Sequence, residues 1–266
     1  LRAVLQTQLQ QLDEDFAFVA QSNLGAESLD AEAIVRLKEI GARTWQRTLD
    51  DRIGISWEEA QRKSRNAPAA LPATERLLDD KPEHEVARGD ADRMPAGNPW
   101  GFHVDVPALK YNRGELYNLA VGRGTLTTEE RFQINDHMAQ TIIMLTRLPF
   151  PRHLRDVPEI AGGHHEKMDG TGYPRRLTRE QMSVPARMMA IADIFEALTA
   201  IDRPYKRGKT LSESLAIMAR MRRDKHIDGD LFELFVRSGV YLDYARRFLQ
   251  PAQIDEVDQD ALLRAA

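Results

Sequence analysis

The chain has 266 residues, with 37 Lys and Arg against 41 Asp and Glu, and its net charge of −4 excludes the positive field of a general nucleic-acid binder. At 42% hydrophobic and 29% charged it is neither disordered nor fibrous. The absence of Cys excludes disulfides, thiolate metal sites, iron–sulfur clusters and cysteine nucleophiles; any metal must take imidazole and carboxylate ligands, and a reducing, cytoplasmic setting is expected.

Leu1 falls inside a helical pattern, with no initiator Met or secretion signal, so the chain reads as a piece of a longer protein. Apolar residues recur at helical spacing from Leu1 to about Ala20 (Leu5, Leu9, Leu12, Phe16, Val19) and from about Leu29 to Leu49 (Ile34, Leu37, Ile40, Trp45). This predicts two antiparallel helices joined near Gly25. Between Asn66 and Asn112, Pro68, Pro72, Pro82, Pro95, Pro99 and Pro107 dissolve the pattern into an irregular connector, with a short hairpin expected near Gly101 to Leu109. Thr127-Thr128-Glu129-Glu130 is a capping box that opens a helix running to about Leu148, where Pro149 stops it. On that helix Ile134, Met138, Thr141, Ile142 and Leu145 form an apolar stripe, and His137 shares that side and is expected to point inward.

Further helices are predicted at about Arg152 to His164, Pro185 to Ala200, Leu211 to Lys225, Asp230 to Ser238 and Leu242 to Leu249. The most apolar stretch, Val184 to Ile201, is broken by Arg187, Asp193 and Glu196, so no membrane span is expected. Alternating strand patterns are nearly absent, and the fold class is all-α. The expected organisation is a helical hairpin over 1–66, a connector over 67–112, a main helical domain over 113–258 and a tail over 259–266.

The segment His164-His165-Glu166-Lys167-Met168-Asp169-Gly170-Thr171-Gly172-Tyr173-Pro174 concentrates imidazoles, carboxylates and glycines in one short stretch. Successive helical residues diverge by about 100°, so adjacent histidines at a helix end suit one metal each, and the dyad suggests a binuclear centre. A helix end with surface histidines in a glycine-rich turn is the alternative. Asp169 can bond within the turn, Gly170 and Gly172 permit positive φ or close backbone approach, and Pro174 stiffens the exit.

Asp193 is a second anomaly. It sits in the middle of a helix that Met188, Met189, Ala190, Ile191, Ala192, Ile194, Phe195, Ala197 and Leu198 make apolar on nearly every side. A buried carboxylate needs a positive partner. Arg187, six positions away, points elsewhere, so a metal or a residue of another helix must supply the charge, with a structural ion pair as the alternative. Asp202-Arg203-Pro204-Tyr205-Lys206 follows that helix, and Arg203 and Lys206 suit a phosphate, ordinary solvated loop charges being the alternative.

His-His-Glu-x-x-Asp-Gly-x-Gly-Tyr-Pro, followed by Ala192-Asp193-Ile194-Phe195-Glu196-Ala197-Leu198-Thr199 and Arg203-Pro204-Tyr205-Lys206, closely resembles the HD-GYP family of metal-dependent phosphodiesterases. The resemblance covers roughly Asn112 to Asp258. It implies an HD-superfamily helical bundle that hydrolyses cyclic di-GMP to pGpG or GMP through metal-activated water, with two or more divalent ions, Fe or Mn being favoured. It also implies that His137, His164, His165 and Asp193 are metal ligands, that Tyr173, Arg203 and Lys206 face the substrate, and that Glu166, Asp169, Gly170, Gly172 and Pro174 support the loop. A diguanylate cyclase or a sensory domain is the expected partner.

One departure stands beside the match. The adjacent His-Asp pair of that family is absent upstream of His137, where the histidines are His84, followed by Glu85, and His103, followed by Val104. These two, with His153 and His226, read as surface residues. Placing the His-Asp helix before Leu1, with Leu1 to Asn112 as an insertion within the domain, accounts for the missing pair. A degenerate member that binds cyclic di-GMP or docks a partner is the rival, and an HD-type hydrolase of another nucleotide is a third reading. Gly208-Lys209-Thr210 fails as a P-loop because Arg203 stands where a glycine is needed, and Arg220, Arg222, Arg223 and Lys225 read as a solvated helix face.

Overall fold

The computed structural model describes residues 2–25, 28–94, 97–201 and 208–265. Among them eleven α-helices outweigh four short strands, and the chain divides into two compact units. None of these helices is long and apolar enough to cross a membrane.

One unit comprises Leu1–Met94 and Val106–Gln133. Its helices are α1 (Arg2–Asn23), α2 (Ala31–Gly41), α3 (Trp57–Lys63) and α4 (Glu115–Leu119), and its strands are β1 (Thr44–Arg47), β2 (Ala73–Arg76), β3 (Glu85–Ala87) and β4 (Leu109–Asn112). The second predicted helix ends early. Asp30 caps α2 by accepting from the Ala33 N–H at 2.7 Å, but at Gly41 a Cβ would meet Leu116 and Leu78 at 3.1 Å, and Trp45 falls on β1. β1 pairs antiparallel with β2, and β3 with β4, across an irregularity between Val86 and Ala87. Leu109 therefore opens a strand paired with Glu85–Ala87, not the expected local hairpin. The apolar stripe of α1 is not its packed face: Leu9 is 54% and Phe16 77% exposed, whereas Asp15 is buried against Arg43 at 2.6 Å and Arg36 at 3.6 Å.

The other unit comprises Pro95–Asp105 and Ile134–Ala266. α5 (Thr128–Leu145) begins within the first unit, which ends at Gln133, and opens with the anticipated capping box, the Thr127 N–H donating to Glu130 Oε2 at 2.9 Å and the Glu130 N–H to Thr127 Oγ1 at 3.3 Å. α6 is shorter than predicted, Val157–Gly162, and leaves His164 in the turn beyond it. α7 (Val184–Thr199), α8 (Leu211–Arg223), α9 (Gly229–Arg237) and α10 (Val240–Phe248) lie close to their predicted spans, and α11 (Gln259–Ala265) occupies the stretch left as a tail. Ile191, Phe195, Leu211, Leu215, Met218, Ile227, Phe232, Val236 and Tyr241 form one apolar core across α7 to α10, which fixes α7 as a platform.

That platform is one-sided. Met188 is 54% and Met189 41% exposed, while Ala186, Ala190, Ile191 and Phe195 are buried. Asp193 is half-buried rather than immersed in apolar surroundings, because a uniformly apolar sequence does not reveal which face its neighbours cover.

Candidate metal centre

Three of the proposed ligands converge. One ligand atom from each of His137 on α5 and His164 and His165 beyond α6 lies within 4.8 Å of the other two. The rings of His164 and His165 are 4.4 Å apart, and His165 meets His137 edge-on at 5.3 Å. Helical divergence does not separate the adjacent pair, because both residues stand in a turn rather than on a helix.

Backbone carbonyls orient two of these rings. His164 Nδ1 bonds the carbonyl of Ala161 at 2.7 Å, and His137 Nδ1 bonds that of Ile134. A carbonyl only accepts, so each Nδ1 carries the proton and each Nε2 keeps its lone pair for a metal. Burial, reinforced by His164 and His137 and opposed by the Asp193 carboxylate, lowers the His165 pKa to about 4. Its imidazole is therefore neutral at neutral pH, the form a metal requires. Imidazoles gathered this way fit a transition-metal ion.

His137 corrects the sequence reading: it is exposed, as is Ile134 beside it. The covered stripe of α5 runs through Met138, Ala139 and Ile142, so Met138 and Ile142 of the inferred face are buried while Ile134 is not. Asp193 stands outside the three-histidine group but close enough that its charge acts on His165 and Tyr173. Arg187 turns away from it, as expected, to pair with Asp228. Arg203 and Lys206 lie outside the described residues.

The signature loop is built around one carboxylate. Glu166 is 1% exposed and accepts from the Arg175 N–H at 2.6 Å and the Leu177 N–H at 2.9 Å. Burial raises its pKa despite these bonds. Gly172 is obligatory, since a Cβ there would lie 2.3 Å from Lys167 N and 2.5 Å from Glu166 Cα. Asp169 closes an Asx turn with the Thr171 N–H at 2.9 Å. These constraints bring Tyr173 onto His165, stacked at 4.9 Å and 14°. Burial and the Asp193 charge push the Tyr173 phenol up to about 12.

Sequence reasoning missed a strap over residues 97–105. The Trp100 carbonyl accepts from Arg175 Nε at 3.0 Å, the His103 N–H donates to the Pro174 carbonyl at 2.6 Å, and Asp105 pairs with Arg176 at 3.0 Å. No local pattern announces contacts spanning some seventy residues. His226 and His84, read as surface residues, are half-buried. Burial and then Lys167 hold the His226 pKa below the usual value. His103 and His153 are exposed.

The chain belongs to the HD domain family, whose model matches residues 60–231. It is 43% identical over 86 residues to a cyclic di-GMP phosphodiesterase of Pseudomonas aeruginosa, covering 32% of this chain and 20% of that protein. It is 41% identical over 138 residues to 3'3'-cGAMP-specific phosphodiesterase 3 of Vibrio cholerae, covering 50% and 27%. A cyclic di-GMP phosphodiesterase of Thermotoga maritima is 38% identical over 91 residues, covering 34% and 24%. The chain thus spans about a fifth to a quarter of the length of these relatives.

Proposed function

We propose that this member of the HD domain family is the signature-bearing part of an HD-GYP-type phosphodiesterase that hydrolyses cyclic di-GMP to pGpG or GMP. The observation that carries the proposal is the convergence of His137, His164 and His165, with ligand atoms within 4.8 Å, beside the stacked Tyr173. The names of the relatives support the substrate class. Iron or manganese suits the donors, imidazoles with the Asp193 carboxylate nearby. A bound metal supplies Lewis-acid chemistry at the phosphodiester.

The remaining work falls to the chain itself. His137 and His164 present Nε2, and His165 enters neutral. With its pKa near 12, Tyr173 keeps its phenolic proton at neutral pH and offers it to a substrate oxygen. Glu166, Asp169, Gly170, Gly172 and Pro174 hold the loop that aims it. Arg203 and Lys206 are assigned to the phosphate on charge. Residues 113–258 form the functional domain in this reading, with 1–112 as an insertion.

A non-catalytic module that senses cyclic di-GMP or docks a diguanylate cyclase is the second reading. It is favoured by Asp193 standing outside the three-histidine group, a set small for two ions. Elemental analysis after loading with Mn2+ or Fe2+, paired with chromatography of cyclic di-GMP products, tests both. Metal uptake is expected to weaken about tenfold or more in His165→Ala, and Arg203→Ala to raise KM more than it lowers kcat. Uptake without hydrolysis by the full-length protein favours the sensing module; absence of uptake overturns the metal-centre reading.

A further inference from the structure

Among the described residues Asp228 is the one ion-paired carboxylate whose side chain is 0% exposed, and its pairs are with Arg179 and Arg187, not with the proposed ligands. Its two oxygens do different jobs. Oδ1 caps α9, accepting from the Asp230 N–H at 3.0 Å and the Leu231 N–H at 3.2 Å. Oδ2 faces away from that helix and accepts from Arg179 Nε at 2.9 Å and from the Arg187 guanidinium. A cap needs only one oxygen and no full charge, and Asn serves as well as Asp. The charge is therefore explained by the two arginines.

Those arginines belong to two of the three pieces that compose the proposed site, α5 with His137 being the third. Arg179 stands at the exit of the signature loop, and its own N–H donates to the carbonyl of Met168 inside that loop at 3.2 Å. Arg187 lies on α7, six residues before Asp193. Arg187 Nε is buried without a hydrogen-bond partner, so the pair with Asp228 sets how this guanidinium lies. The exposed arm of Arg179 reaches Asp230 at 2.7 Å, where the carboxylate is 85% exposed.

We propose that Asp228 is a positioning residue that fixes the register between the signature loop carrying His164, His165 and Tyr173 and the helix carrying Asp193, by gripping one arginine from each. As a statement about the metal site this rests on the function proposed above; as a statement about the loop it does not. Loss of the charge frees the loop relative to α7 while α9 keeps its cap.

Asp228→Asn in the full chain is the test, read by amide hydrogen exchange and by calorimetric Mn2+ titration. Exchange of residues 164–178 is expected to quicken about tenfold with α9 unchanged, and Mn2+ affinity to fall about tenfold, as for other supporting groups of metal sites. Unaltered loop exchange overturns the proposal. So does uniform quickening across α7 to α10, which marks a purely structural role. Should Asp228→Asn not fold, Arg179→Gln removes one arm at a 43% exposed side chain; faster exchange confined to the loop supports the grip, and parent-like exchange overturns it. Exchange needs no metal, so a parent chain that takes up no Mn2+ sinks the function and leaves the grip decided on its own evidence.

Discussion

The two units are held by different forces. In the unit formed by Leu1–Met94 and Val106–Gln133, the buried apolar side chains among the described residues are Leu37, Ile40 and Ala73. What else knits it is polar: Glu75 lies between Arg47 at 2.8 Å and Lys81 at 2.6 Å, Lys63 meets Asp51 at 2.8 Å, and Lys110 meets Asp92 at 2.6 Å. The other unit has the continuous core from Ile191 to Tyr241. Apolar burial scales with area and titrates no group, whereas ion pairs respond directly to screening and to pH. The proposed site is assembled on the unit with that core, to which the pairs of Asp228 with Arg179 and Arg187 add an electrostatic contribution.

The largest test of that contrast is Phe232→Ala, at a side chain that is 0% exposed. A loss of about 3–5 kcal/mol is expected from urea unfolding followed by circular dichroism; a loss below about 1 kcal/mol would erase the difference between the units. Glu75→Gln comes next. Its side chain is 14% exposed, between the exposed and buried limits for ion pairs, and about 1–2 kcal/mol is expected from Trp45 and Trp57 fluorescence in a Trp100→Phe background.

That difference should depend on pH with a defined sign. The hydrogen bond from Lys81, with help from Arg47, holds the Glu75 carboxyl below its ordinary 4.5 against the opposing effect of burial. Its contribution is therefore complete above about 4.5 and disappears as pH falls through the lower folded value, so parent and Glu75→Gln should converge in acid. Raising NaCl from about 0.1 to 1 M shortens the screening length from about 10 to 3 Å, and should lower the stability of the ion-paired unit by about 1 kcal/mol or less and that of the other, with its larger apolar core, by a smaller amount. The smallest effect belongs to Leu9→Gln on the exposed stripe of α1, within about 0.5 kcal/mol by thermal melting. A larger change would reveal that this stripe is covered.

The same contrast governs what could be read in advance. α8 and α9 were legible because their apolar periodicity records the face they bury and their starts carry caps at Thr210 and Asp228, whereas α7, capped at Ser183 but apolar on nearly every side, showed its span and not its buried face. β1 and β2 were not, because four-residue strands that are largely exposed show no alternation, and Trp45 continued a helical pattern that Gly41 interrupts. At the site, the spacing of the signature announced His164, His165, Glu166 and Gly172, since local turn chemistry fixes them. The depth of Asp193 and the outward place of His137 depend on neighbours that one-dimensional periodicity does not contain. The strap and the Asp228 grip were invisible for the same reason.

The strap has an implication for biosynthesis. Asn98 clasps Phe102 in both directions, at 2.9 and 2.8 Å, so this short loop can fold upon itself early, yet the Arg175 side chain held by Trp100 lies 75 residues further along. At about 5–20 residues per second on a ribosome, the stacked Trp100 and Phe102 wait on the order of several seconds for the segment they clasp. During that interval two aromatic rings lack the partner segment that the folded chain supplies.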